Sequence, residues 1–230
     1  MNRRDHEIWN EDMAKRYDPN TFITRSGAPI RWIENRRLRK SKEALNCLPT
    51  SRVLDVGCGP GNLLEMLDAD KLIGVDISPT LLEQAKNRLS NKSNVELLQA
   101  NAENLPFPDN SFDRIVCSEV LEHCLHPEEV VAEIHRVAKP GARVVITVPN
   151  ENLINFTKRI ILFFRLKKAI SGDYQMSDNM LDEWHINEMD DFRVSKLSRD
   201  LFVRQKSLFT PLPILAYHHI YVFDAKKQSK

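Results

Sequence analysis

The sequence predicts an α/β fold built on a parallel sheet, and three observations carry that expectation. Short apolar runs alternate with amphipathic stretches at helical spacing between residues 51 and 150, and a glycine turn, GCGPG at 57–61, follows the first run directly. The elements alternate singly, strand then helix, which buries the strands on both faces as parallel sheets require.

Each element has its own signal. SRVLDV reads as the first strand, NLLEMLDA as a helix, KLIGVDI as the second strand, PTLLEQAKNRL as a helix and NVELLQA as the third strand. FDRIVCSE is the next strand, PEEVVAEIHRVAK a helix opened by Pro127, and ARVVITVPN a strand that follows the helix-stopping Gly141. Upstream, WIENRRLRKSKEALNCL has helical spacing and is expected to pack beside the first strand. The first thirty residues are polar and are expected to form a flexible arm or lid, leaving one domain over 31–230.

After Pro149 the alternation breaks. LINFTKRIILFFRLKKAI reads as a helix and SGDYQMSDNMLDEWHINE as a loop, so residues 151–187 form a cap insertion at the carboxyl ends of the strands. EMDDFRVSKLSRDL then predicts a helix, and FVRQKSLF and AYHHIYVFD two closing strands.

A chain of 230 residues with 42% hydrophobic content can bury the core of one substantial domain. Its 33 Lys and Arg balance 32 Asp and Glu, which gives no global reason to expect a nucleic-acid partner. The start, MNRRDHEIWN, has no apolar signal region and no run reaches the length of a membrane span, so a cytoplasmic location is expected. Cys47, Cys58, Cys117 and Cys124 are scattered without metal-ligand spacing, so reduced thiols and no metal are expected.

In an open parallel sheet, ligands bind beyond the carboxyl ends of the strands where the strand order reverses, and the glycine turn lies there. Its spacing is GxGxG, not the GxGxxG of dinucleotide sites, and no Lys-Ser or Lys-Thr pair follows to reach phosphates. Bare glycines let a ligand lie against the backbone, and Asp55 before them could receive a cationic amino group. Asp76, at the end of the second strand, stands at the distance at which an acid holds ribose hydroxyls. Asn101, Ala102 and Glu103 end the third strand at the same mouth and could hold an adenine edge. Ribose, adenine and an amino acid are thereby indicated together.

VLDVGCGPG, GVDIS, NAENLPFPDNSFD, CSEVLEH and EIHRVAKPGARVVITVPN, in this order, resemble the class I S-adenosylmethionine-dependent methyltransferases, in particular the small-molecule branch of quinone biosynthesis. The resemblance implies a Rossmann-like, doubly wound sheet of seven strands, mostly parallel with an antiparallel last strand. It implies that Asp55, Gly57, Gly59 and Gly61 cradle the methionine part of the cofactor, Asp76 the ribose, and Ile77 and Ala102 the adenine. Asn101 stands where the family often has Asp. Ser118 would offer its carbonyl to the methionine ammonium, and Glu119 would face the transferred methyl group. Tyr17 resembles the tyrosine of an N-terminal arm that folds over the cofactor.

Transfer from a sulfonium needs alignment and a desolvated nucleophile, and a hydroxyl acceptor also needs a base. His123, His126, Glu122 and His185 are the candidates, with His123 and His185 singled out as catalytic. Phe163 and Phe164, flanked by Lys158, Arg159, Arg165, Lys167 and Lys168, are expected to roof an apolar acceptor, and residues 156–168 could rest on a membrane surface. The leading expectation is a methyltransferase acting on a small molecule, with oxygen favoured as acceptor atom and nitrogen or carbon open. Two alternatives stand beside it: an RNA or DNA methyltransferase, encouraged only by RRLRK at 36–40, and a cofactor-binding regulator without catalysis.

Overall fold

The computed structural model describes residues 1–164 and 184–226. Three helices, α1 (Arg3–Arg16), α2 (Pro19–Arg25) and α3 (Ala28–Leu45), precede the sheet. The alternation then runs β1 (Arg52–Val56), α4 (Asn62–Met66), β2 (Lys71–Asp76), α5 (Pro79–Arg88), β3 (Val95–Gln99) and β4 (Phe112–Ser118). A single 3-10 turn (Leu121–His123) leads into α6 (Pro127–Val137), β5 (Ala138–Pro149) and α7 (Glu151–Phe163). The helix Asp191–Ser198, here α8, precedes β6 (Phe202–Pro211) and β7 (Ala216–Ala225).

The seven strands lie in the order β3-β2-β1-β4-β5-β7-β6. The pairings among β1 to β5 are parallel, and β7 runs antiparallel to both β5 and β6. This is the predicted architecture, and the order reverses beside β1, between β2 and β4. Strand alternation assigns the core to two faces. Leu54, Val56, Ile115, Cys117, Val144 and Ile146 pack with Val130, Ile134 and Val137 of α6. Val53, Leu72, Val116, Val145, Ile220 and Val222 pack on the other face with Leu38 and Leu45 of α3, Leu63 and Leu64 of α4 and Ala85 of α5.

Local chemistry sets the helix starts. The Ser78 hydroxyl caps α5 by accepting from the Leu81 N–H at 3.2 Å, and Pro79 occupies the first turn. Pro127, Glu128 and Glu129 open α6, and His135 and Arg136 close it, in accord with the helix dipole.

The first thirty residues depart from the expectation of an irregular arm. They form α1, α2 and the start of α3, with His6, Asn10 and Ala14 of α1 buried. Their buried groups are largely polar and make hydrogen bonds, so no apolar stripe betrayed the helix. The expected helix over 153–170 is α7 as far as Phe163; Arg165, Lys167, Lys168 and the rest of the cap through 183 lie outside the described residues. Among the described residues no helix is long and apolar enough to cross a membrane.

Gly74, inside β2, lets α4 approach the sheet. A Cβ there would lie 2.7 Å from Leu64 Cδ1, 2.8 Å from Cys58 Sγ and 2.9 Å from Leu97 Cδ2. Gly74→Ala should therefore lower unfolding stability by about 1–3 kcal/mol, the usual cost of overpacking a core. Urea unfolding measures it, and an unchanged midpoint would mean that α4 can shift freely.

Candidate functional site

The turn from β1 to α4 bends through three glycines with positive φ, at 69° for Gly57, 52° for Gly59 and 79° for Gly61. The Gly57 and Cys58 N–H groups both donate to the Val75 carbonyl, at 2.8 and 2.9 Å, tying the turn to β2. A Cβ on Gly57 would collide with Val120 at 2.3 Å, whereas one on Gly59 would meet no protein atom within 4 Å. Gly59 lines a cavity of about 240 Å³ at the carboxyl ends of the strands, together with Asp55, Gly57, Asp76, Ile77 and Asn101. The bare backbone thus serves packing at one glycine and access at the other.

Two carboxylates flank the turn. Asp76 accepts from the Gly59 N–H at 2.7 Å and the Ser78 N–H at 2.9 Å, which fixes its orientation. Burial raises its pKa above the ordinary carboxylate value, and the backbone donors oppose that shift. Asp55 is 2% exposed, and burial, reinforced by Asp76, pushes its carboxyl up to about 8. Arg37 opposes this shift. Its guanidinium is buried in the wall of the same cavity, where it pairs with Glu34 at 2.8 Å and donates to the Ser118 hydroxyl at 2.5 Å.

At the far end, Ala102 and Glu103 also line the cavity. The Asn101 side-chain oxygen accepts from the Glu103 N–H at 2.9 Å, and the Glu103 carboxylate accepts from the His126 N–H at 2.9 Å and pairs with Arg3 at 3.6 Å. Glu103 therefore ties the loop to α1 and α6, and its polarity is mostly spent on the protein.

The other end is a polar corner. Ser118 and Glu119 line the cavity where β4 ends, and Glu119 takes the left-handed conformation at φ 58°. Thr147 donates its hydroxyl to Glu119 at 2.6 Å and accepts the Glu119 N–H at 3.1 Å, holding that conformation from β5. His218 sits 3.4 Å from Glu34 and 3.6 Å from Glu119. Burial would raise Glu34, yet Arg37 and His218 hold its carboxyl below the ordinary value. His123 and Trp184 complete this corner; the His123 Nδ1 lies 3.2 Å from the Trp184 carbonyl.

Several expected residues stand apart. His185 pairs with Glu151 behind the cavity wall, and His126 is exposed beside Glu128. Tyr17 ends α1 outside the lining, and Phe163 and Phe164 are 81% and 63% exposed on α7. The lining adds His6, Asn10 and Arg37, which sequence reading missed. The RRLRK cluster turns inward: Arg36 donates to the Pro211 carbonyl at 2.9 Å, Lys40 to that of Phe209 at 2.5 Å, and Arg37 is buried. Three of its four cations are engaged within the protein.

A family profile described as a methyltransferase domain matches residues 54–146. Over that stretch the chain is similar to methyltransferase domains. A demethylmenaquinone methyltransferase of Renibacterium salmoninarum is 34% identical over 138 residues, 59% of this chain and 55% of that protein. A ubiquinone/menaquinone biosynthesis C-methyltransferase of Francisella tularensis subsp. novicida is 40% identical over 117 residues, 47% of this chain and 44% of its own length. The chain thus spans about half the length of these curated relatives. In fold, the chain is similar to magnesium protoporphyrin IX methyltransferase from Synechocystis with bound SAH, at TM-score 0.69 and 16% identity, covering 96% of this chain and 100% of that one.

The chemistry of the cavity fits S-adenosylmethionine, the cofactor that the resemblance implies. An open backbone at Gly59, a braced carboxylate at Asp76 and a buried acid beside a buried guanidinium suit a nucleoside joined to a zwitterion.

Asp55 generates a test on the ligand-free protein. Because its folded pKa lies above the unfolded 3.8, the folded state holds a proton that the unfolded state has lost between 3.8 and about 8. Stability relative to Asp55→Asn should then fall as pH rises through that window and level off above it. Denaturant melts at a series of pH values measure the difference, and a flat difference would assign Asp55 an ordinary pKa.

Proposed function

We propose that this protein transfers the methyl group of S-adenosylmethionine to an oxygen of a small, lipophilic acceptor. The observation that carries this reading is the pairing of Asp55 and Arg37 in one cavity with Asp76. An ammonium brought beside Asp55 would favour its ionised form, and Arg37 is the cation that the carboxylate of a methionine moiety requires. Asp76, already oriented by two N–H groups, keeps lone pairs for ribose hydroxyls, while Ile77 and Ala102 flank the adenine position.

S-adenosylmethionine, when bound, supplies an activated methyl group whose sulfur leaves as a neutral thioether. The protein's tasks are to align the acceptor, exclude water and find a place for the acceptor's proton. Ser118, Glu119 and His123 line the end of the cavity that can receive it. The lipophilic character rests on two supports. The relatives named above are methyltransferases of quinone biosynthesis, and α7, which leaves β5 at the cavity end of the sheet, exposes Phe156, Ile160, Leu162, Phe163 and Phe164. The inward bonding of the 36–40 cluster weighs against nucleic acid.

The decisive experiment supplies methyl-labelled S-adenosylmethionine and an organic extract of cells. Label should pass to the organic phase as a methyl ether, matched by S-adenosylhomocysteine. Label on nucleic acid, a methylated carbon, or no turnover would each replace this reading, the last with a binding regulator. Separately, Asp76→Ala should weaken S-adenosylmethionine binding by roughly 1.5–3 kcal/mol, the scale for hydrogen bonds to a charged group. Calorimetry reads it, and unchanged affinity in a folded variant would remove Asp76 from the ribose.

A further inference from the structure

Glu122 is 0% exposed, and neither of its carboxylate oxygens has a hydrogen-bond partner. Leaving such a group unmatched is costly, so its position calls for a ligand. One ligand atom each from Glu122, His123 and His185 lie within 4.8 Å of one another. The backbone holds them together: the Glu122 carbonyl accepts from the Ile186 and Asn187 N–H groups at 2.9 and 3.0 Å, locking the 3-10 turn to the segment that carries His185.

The imidazoles are oriented in the manner of metal ligands. His123 Nδ1 faces the Trp184 carbonyl, which can only accept, so the proton is on Nδ1 and the lone pair on Nε2. His185 Nδ1 bonds the Glu151 carboxylate, so a neutral ring donating there presents its lone pair at Nε2 as well. A carbonyl or carboxylate behind each ring is the support that ligating histidines use. Two such imidazoles and one carboxylate form a donor set that takes zinc or another divalent transition metal and leaves coordination positions for a further ligand.

We propose that Glu122, His123 and His185 bind a divalent transition-metal ion, with Glu151 and the Trp184 carbonyl as outer supports. Sequence reading expected no metal because the two histidines are remote in the chain and only the fold joins them. His123 lines the cavity, so the ion adjoins the acceptor's space. Its role there deepens the methyl transfer proposed above. A hydroxyl coordinated to the ion releases its proton to solvent, the oxygen's electron pair forms the bond to the methyl carbon, and the sulfonium sulfur keeps the pair of the broken bond. His123 is then a ligand and not the base. The binding site itself does not depend on that reading.

The test uses the full chain stripped with a chelator, titrated with Zn²⁺ by calorimetry and with Co²⁺ by visible absorption. One ion per chain should bind. Glu151→Gln should weaken Zn²⁺ binding by about 10- to 100-fold, as loss of an outer support does, and Glu122→Gln and His185→Ala by more. Cooperative melting of each variant confirms that it is folded, and His185→Ala serves if Glu122→Gln does not fold. No saturable uptake of either ion by the wild type, or unchanged affinity in the folded variants, would overturn the site. Wild type that binds S-adenosylmethionine but no metal ends this proposal alone; metal binding without cofactor binding ends the other.

Discussion

The reversal of strand order beside β1 is the constraint from which the site follows. With β2 on one side and β4 on the other, the connections leaving β1 and β4 pass to opposite faces and leave a gap between them at the carboxyl ends. Right-handed crossovers leave this geometry little freedom. The glycine turn, Asp55, Asp76 and Ser118 all stand at strand ends that open into this gap.

Charge inside the gap is arranged by burial as much as by pairing. Asp55 and Asp76 are both desolvated; Asp76 makes the ionisation of Asp55 harder and Arg37 offsets it from α3, whereas backbone N–H groups oppose the rise at Asp76. Glu122, in the neighbouring wall, is pushed up to about 8 by burial and then by Glu119, with His185 opposing. Such uncompensated acids persist where cationic ligands complete them. Arg37 itself is held by Glu34, which His218 of β7 supports, so the electrostatics of the gap reach back to the antiparallel strand.

The sheet was legible because its signals are local and repeated: apolar runs of strand length, capped helices, glycines where the backbone must turn. The cofactor half was legible for the same reason, since Asp55, Gly57, Gly59 and Asp76 belong to two adjacent strand ends. What stayed hidden is assembled from distant segments. Arg37 looked like one of four surface cations until α3 packed on the sheet, and His6 and Asn10 sat in a segment without an apolar stripe. His123 and His185 meet through backbone bonds between the 3-10 turn and residues 186–187, which no spacing rule encodes.

Helix α1 touches both halves of the cavity. Glu11 accepts from Ser78 at 2.5 Å and also from Thr80, beside the end of β2. His6 bonds the His123 carbonyl at 2.7 Å, and Asn10 accepts from the Trp184 indole at 2.8 Å, at the opposite corner. One rigid element therefore bridges the two compartments, and displacing it to admit either ligand breaks bonds at both. The position of α1 at one end of the cavity is therefore tied, bond by bond, to its position at the other.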